Sequence, residues 1–195
     1  MFYYRSTSWL KGDLGMEEWM SKYTLYRRIH SFISDNPDFI YMDMDTFCKS
    51  KDWNLIPYGE ADRELAKISK DGYTFYENNK FSIFYNKDKP KVRQRFTVSH
   101  EIGHIVLFHH LYVPTKILTN NKNKGIWEYQ ADTFAQNILF PIEWAENLKG
   151  QSIHNIAKFL GVSKEMVNVR YRNLSEDLYW LNEIKREEGS NGISK

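Results

Sequence analysis

Two histidines four positions apart, with a glutamate directly after the first, are the most restrictive feature of this sequence. They are His100, Glu101 and His104 in the segment VSHEIGHIV, whose other residues are mostly apolar. On a helix, positions four apart lie on one face, so both imidazoles can reach the same divalent ion. Glu101 lies about 100° around the helix, where its carboxylate can act as a general base on water at that ion. The pattern therefore predicts a metal centre on a helix.

The alternative is a pair of surface histidines on an amphipathic helix. Two features favour the metal centre. The apolar flanks are sufficient to bury this helix, and buried histidines need partners. Gly103 also lies in mid-helix, where glycine costs about 0.5–1 kcal/mol relative to alanine, and it suits a close approach by another backbone or by a substrate.

A hydrolytic zinc centre needs a third protein ligand and an open position. His110 lies where the longer pattern H-E-x-x-H-x-x-G-x-x-H has its third histidine, but that pattern needs a glycine where this chain has Leu107. If the helix continues, His109 and His110 both point away from His104. We therefore expect them to be exposed or partly packed near the helix end.

Glu128 is the better candidate for the third ligand. It lies one helical turn before Asp132 on a second predicted helix, on a face that continues with apolar residues. Two carboxylates in this arrangement repel each other unless a cation or a hydrogen-bond donor lies between them. Glu128 as metal ligand and Asp132 as acceptor from a ligand histidine would satisfy both groups. The alternative is a solvated first turn, where acidic residues are favourable.

The composition excludes several classes of protein. A chain of 195 residues, with 42% hydrophobic and 27% charged residues, is typical of one globular domain, with or without a small appendage. The net charge of +2 gives no general reason to expect a nucleic-acid or membrane partner. The single cysteine, Cys48, excludes internal disulfides and a cysteine-based zinc site. Because no signal peptide or membrane span is recognisable, we expect a cytoplasmic protein.

Hydrophobic periodicity predicts an α+β fold, mainly helical, with a small β-sheet. Alternating residues around Glu77-Asn-Asn-Lys80 predict a β-hairpin at about 73–86, with asparagine in the turn. A possible strand is predicted at 53–57. Helices are expected at about 17–34, 43–50, 93–111 and 126–140, at two positions within 152–174 around Gly161, and as a separate last helix.

Four regions follow from these elements. They are an N-terminal extension and helix (1–36), a core (37–145), a helical subdomain (150–188) and a disordered tail (189–195). The subdomain resembles a helix-turn-helix, and its basic residues could contact DNA: Lys158, Lys164, Arg170 and Arg172. Such a small surplus of charge is common on amphipathic helices, so we expect packing on the core and no direct DNA binding.

Two stretches together resemble the ImmA/IrrE family of zinc metallopeptidases. They are Arg93-Gln-Arg-Phe-Thr-Val-Ser-His-Glu-Ile-Gly-His104 and Glu128-Tyr-Gln-Ala-Asp-Thr-Phe-Ala-Gln-Asn-Ile-Leu-Phe-Pro141. The chain departs from the family pattern at Ser99 and Phe140, where alanine and methionine are usual, and the histidine after the first motif is displaced to His109. The resemblance covers roughly residues 40–175.

The resemblance implies a zincin-like core that binds Zn²⁺ through His100, His104 and Glu128, with Glu101 as catalytic base. It also implies a site-specific protease, found in mobile elements and stress-response loci, whose substrate is a helix-turn-helix transcriptional repressor. The other hypothesis is a non-catalytic regulator that binds a repressor or DNA and has a structural metal site. Five residues could stabilise the oxyanion, and the sequence does not rank them: Tyr129, His109, His110, His154 and Tyr171.

Overall fold

The structure is a computed structural model that describes residues 20–112, 117–118 and 124–191. The predicted N-terminal extension falls largely on residues 1–19, outside this range. Helices in the described part are α1 (Lys22–Asp35), α2 (Met44–Ser50), α3 (Arg63–Ile68), α4 (Lys91–Val106), α5 (Lys124–Leu139), α6 (Ile142–Asn147), α7 (Ile153–Leu160) and α8 (Lys164–Asn191). Strands are β1 (Asn54–Tyr58), β2 (Gly72–Glu77), β3 (Lys80–Asn86) and β4 (Ile117–Leu118). The predicted α+β class is confirmed.

The strands form one mixed sheet in the order β1-β3-β2-β4. β1 runs parallel to β3, whereas β2 is antiparallel to both β3 and β4. The turn between β2 and β3 contains Asn78 and Asn79, with φ of 51° and 61°. Positive φ at both central residues is the geometry of the tight hairpin turn that suits the twist of β-strands. The predicted hairpin is therefore confirmed.

Helix α4 contacts both the sheet and α5, and these three layers form the centre of the molecule. Its buried apolar side chains, such as Ile102, pack with Ile83 of β3 and Phe134 of α5. Short polar side chains cap the surrounding helices: Ser21 for α1, Asp43 for α2 and Ser152 for α7. The site described below lies on α4, where it faces both neighbours.

The C-terminal helices differ from the prediction in one respect. Gly161 adopts a left-handed conformation (φ 64°) and ends α7, and Ser163 caps α8, both as the sequence indicated. The separate last helix does not occur, because α8 continues without interruption to Asn191. Residues 189–191, assigned to a disordered tail, belong to this helix, and 192–195 lie outside the described range. No helix of the described chain is long and apolar enough to cross a membrane.

Candidate metal centre and active site

Helix α4 presents His100 and His104 to the same point in space. Their Nε2 atoms are 3.1 Å apart, and both side chains are largely buried. Helix α5 adds Glu128, whose carboxylate oxygens lie 3.3 Å from Nε2 of His100 and 3.6 Å from Nε2 of His104. One ligand atom from each of the three residues lies within 4.8 Å of the others. Two imidazole nitrogens and a carboxylate are a donor set typical of catalytic zinc, so these residues fit that ion.

Gly103 allows the two helices to approach this closely. A Cβ atom at this position would lie 3.3 Å from both the Cα and the carbonyl oxygen of Ala131 on α5. Of the two explanations for this glycine, the structure therefore supports the close approach of a second backbone. This contact brings Glu128 within reach of the histidines on α4.

Asp132 lies beside His100. Its Oδ1 is 2.8 Å from Nδ1 of His100, on the opposite side of the ring from Glu128. The Asp132 side chain is 48% exposed, so its carboxylate contacts solvent as well as His100. The alternative of a solvated first turn does not apply, because α5 begins at Lys124 and neither acid lies in its first turn. The contact with Asp132 leaves Nε2 of His100 as the nitrogen that faces Glu128 and His104.

The two histidines carry different charges in the metal-free protein. Burial acts to lower the pKa of His100, but hydrogen bonds to Asp132 and Glu128 outweigh it and raise the pKa to about 10. Burial and the neighbouring His100 lower the pKa of His104. Cation binding would displace the proton of His100, since a metal ligand must be deprotonated.

Glu101 lines the same cleft as this cluster and also contacts the sheet. It is 4% exposed, and Oγ of the buried Thr74 on β2 donates a hydrogen bond of 2.8 Å to its Oε2. Burial raises the pKa of Glu101 to about 7, although His100 and Thr74 act in the opposite direction. A carboxylate whose pKa is near neutrality is well matched to proton transfer at physiological pH.

Sequence reasoning missed Thr74 because nothing local distinguishes it from the other alternating residues of the hairpin. The available signal was its position between Tyr73 and Phe75, which places it on one face of the strand. The sequence does not show that this face of β2 packs against α4, which is what brings Thr74 to Glu101.

The prediction for His109 is wrong. Helix α4 ends at Val106, and Phe108 adopts a left-handed conformation (φ 59°) that precedes a short 3₁₀ turn, His109–Leu111. The chain therefore turns back, and His109 is buried with its Nδ1 2.8 Å from Nδ1 of His104. His110 is partly packed, as predicted, against the rings of Tyr76 and Phe81. Neither residue belongs to the cluster of possible ligands among the described residues.

The cluster opens into a cleft of about 200 Å³. Within the described part of the chain, the cleft lining includes none of the five candidates for oxyanion stabilisation. It includes Arg93 instead, which makes two hydrogen bonds, of 3.0 and 2.9 Å, to the carboxylate of Asp71. Arg93 is therefore a cationic side chain of the cleft lining, and the sequence analysis named it only as the first residue of the motif that ends at His104.

The four basic residues of the helix-turn-helix-like segment differ in their exposure and in their partners. Arg170 is fully buried, and Arg172 pairs with Glu165 at 3.2 Å. Of these four residues, Lys158 and Lys164 are exposed and have neither the burial of Arg170 nor the ion pair of Arg172. Because nonspecific DNA affinity depends on the number of phosphates neutralised, this arrangement does not favour DNA binding.

The sequence matches the Peptidase M78 family, described as the IrrE N-terminal-like domain, over residues 60–172. This is more than half of the chain. The chain belongs to this family.

The Peptidase M78 match extends from before α3 into α8, so it includes the hairpin and both helices that carry the cluster. The resemblance noted from the two motifs is thereby confirmed, and a metallopeptidase family is indicated. A comparison with curated proteins found no match.

Proposed function

We propose that this chain is a zinc-dependent endopeptidase that cleaves a helix-turn-helix transcriptional repressor at a specific site and so relieves repression. The observation that carries the catalytic part is the placement of Glu101. A structural metal site has no use for a buried carboxylate that lies beside the cluster and takes no part in it. Here Thr74 holds such a carboxylate in place, with a pKa near neutrality.

His100, His104 and Glu128 would hold the zinc ion, and the cleft leaves one side of the cluster open. Bound there, zinc would supply Lewis acidity toward a peptide carbonyl and toward water. Glu101 would accept the proton of the attacking water and later donate it to the leaving amine. Asp132 would orient His100, and Thr74 would keep Glu101 directed past the metal ligands.

The repressor substrate and a cytoplasmic location rest on the resemblance to the ImmA/IrrE family. The second candidate function, a regulator that binds a repressor without cutting it, makes the same contacts with the substrate and differs only in the role of Glu101.

Glu101→Gln separates these two functions. It preserves the size of the side chain and removes the basic oxygen, so cleavage should fall by about 10²–10⁴-fold while zinc remains bound. The variant should be co-expressed with the cognate repressor and a promoter reporter, and repressor fragments should be followed by immunoblot. Glu64→Gln, on the exposed surface of α3, is the matched control. Full derepression by Glu101→Gln with intact repressor would instead establish the binding function.

The metal assignment has its own test. Elemental analysis should find about one zinc per chain in the wild type, and His104→Ala should lose it. Equal zinc content in both proteins would exclude this site.

A further inference from the structure

His109 and Gln130 lie behind the metal cluster, in the interior and away from the cleft. His109 is 1% exposed and Gln130 is 2% exposed. Nδ1 of His109 is 2.8 Å from Nδ1 of His104, and Nε2 of His109 is 3.0 Å from Oε1 of Gln130. Nε2 of Gln130 donates to the carbonyl oxygen of Met20 at 3.2 Å. The three side chains thus form a continuous chain of hydrogen bonds.

The carbonyl oxygen of Met20, at one end of this series of hydrogen bonds, determines which atom donates in each of them. The carbonyl of Met20 can only accept, so the amide nitrogen of Gln130 must face it and the amide oxygen must face His109. That oxygen can also only accept, so His109 carries its proton on Nε2. Because His109 is 1% exposed, burial favours its neutral form, whose Nδ1 atom is then an acceptor. His104 must therefore donate to it from its own Nδ1.

We propose that His109 and Gln130 are positioning residues that hold His104 in the tautomer whose Nε2 lone pair points into the metal cluster. This inference rests on the metal centre of the proposed function and is independent of peptidase activity. Asp132 performs the same task for His100 with a carboxylate. His109 performs it for His104 without adding another buried negative charge beside Glu101 and Glu128, which would carry a desolvation cost.

The zinc dissociation constant of the full-length protein tests the proposal. His109→Leu removes the acceptor, so the dissociation constant should rise by about 10–100-fold, the usual effect of removing a group that orients a metal ligand. His109→Asn offers an amide oxygen near the former Nδ1 position, and affinity should return toward the wild-type value. His110→Leu is the matched control, because His110 packs against Tyr76 and Phe81 and should leave zinc affinity unchanged.

Affinity should be measured by competition with a chromophoric zinc chelator, with circular dichroism of each metal-free protein as a check on folding. If His109→Leu does not fold, Gln130→Met gives the same test by removing the acceptor of His109. Ring-nitrogen NMR of the zinc-loaded wild type gives a readout that needs no variant. It should show the proton on Nδ1 of His104 and on Nε2 of His109.

The outcomes separate the two proposals. Wild-type zinc affinity in a folded His109→Leu variant, or a proton on Nδ1 of His109, would overturn the positioning role while leaving the metal centre intact. A wild-type protein that binds no zinc would overturn both. Loss of cleavage in Glu101→Gln has no bearing on the result.

Discussion

The hydroxyl of Thr74 connects the sheet to the candidate catalytic base. Thr74 is fully buried on β2, and its hydrogen bond to Glu101 joins residues that are 27 positions apart in sequence. A hydrogen bond to an ionised carboxylate is worth about 1.5–3 kcal/mol and favours the charged form. This contact therefore affects both the orientation of Glu101 and its ionisation.

Thr74→Val should slow cleavage and change its pH dependence. The hydroxyl lowers the pKa of Glu101, so its removal raises that pKa and reduces the fraction of ionised base at a given pH. The acid limb of the kcat/KM profile should move to higher pH, with a loss of about tenfold below neutrality. A pH series of kcat/KM with the purified repressor measures this.

Thr74→Ser is the matched variant, since it retains the hydroxyl and should restore most of the wild-type profile. Zinc content should be unchanged in both variants. An unshifted acid limb in Thr74→Val would show that this hydroxyl does not act on the base.

At the scale of single residues, what the sequence could predict depended on the range of the interaction. The cluster of His100, His104 and Glu128 follows from helical spacing within two segments, and the structure brings these residues together. His109 could not be placed, because its position depends on the left-handed backbone of Phe108, an uncommon conformation for a bulky residue. Thr74 and Arg93 required knowledge of how separate elements pack.

At the scale of elements, the contact between α4 and α5 determines whether the ligands meet. Gly103 lies against the backbone of Ala131, and Phe134 closes the same space, with a side-chain carbon 3.1 Å from the position of a Cβ. Because two of these contacts are with backbone atoms, making room for a Cβ would require a small shift of α5 relative to α4. The spacing of the two helices is therefore set by the absence of a side chain at one position.

Gly103→Ala should destabilise the protein even though alanine is the better helix former. The gain in helix propensity is about 0.8–1 kcal/mol, whereas overpacking typically costs about 1–3 kcal/mol. We expect a net loss of about 0.5–2 kcal/mol in the free energy of unfolding in urea. Zinc should also bind more weakly, because α5 moves away from α4 and takes Glu128 with it.

The matched control is Gly125→Ala on α5. A Cβ at this position would meet nothing within 4 Å, so this substitution should stabilise the protein slightly and leave zinc affinity unchanged. A stabilising effect of similar size at both glycines would contradict the role assigned to Gly103.

The elements themselves were mostly predictable, because hydrophobic periodicity and turn residues act locally. The hairpin and the second motif helix are present close to the predicted bounds, whereas α4 ends at Val106, five residues before its predicted end. The continuity of α8 was not predicted, although the sequence has no glycine or proline between Lys164 and Arg186. This helix packs against α1, α6 and α7, contacts that a local pattern of apolar residues does not reveal.

At the scale of the whole molecule, a buried ion pair within α8 is linked to the rest of the fold by hydrogen bonds. Arg170 pairs with Asp177, which also accepts a hydrogen bond from the hydroxyl of Tyr26 on α1. Arg170 donates to the carbonyl of Phe140 at 2.8 Å and to Asn137 at 3.0 Å. Burial lowers the pKa of Arg170 to about 10, so the guanidinium remains charged at neutral pH. The network thereby connects α1, α5 and α8.

Removing either partner of this pair should be strongly destabilising. Arg170→Met and Asp177→Leu each leave an uncompensated buried charge, which typically costs about 3–5 kcal/mol. The double variant should lose less than the sum of the two, because no charge remains unpaired. Urea denaturation of all four proteins measures the coupling.

Arg172→Met is the control for this cycle. Its ion pair with Glu165 is exposed at the surface, and pairs of this kind contribute about 0–1 kcal/mol. If Arg170→Met lowered the free energy of unfolding by only about 0–1 kcal/mol, the buried pair would not be what stabilises the packing of α8.

The attachment of Arg170 to α5 has a consequence for how this protein responds to heat. Glu128 lies near the beginning of α5, and Asn137 lies nine residues further on, about 13 Å along the axis at 1.5 Å per residue. The end of α5 that accepts the hydrogen bond from Arg170 is therefore well separated from the end that carries Glu128. Weakening that attachment should lower the unfolding temperature of the protein. At low temperature it should leave the arrangement around Glu128 unchanged. A sequence family could in this way adapt to warm or cool habitats through a pair of residues that never meets the substrate.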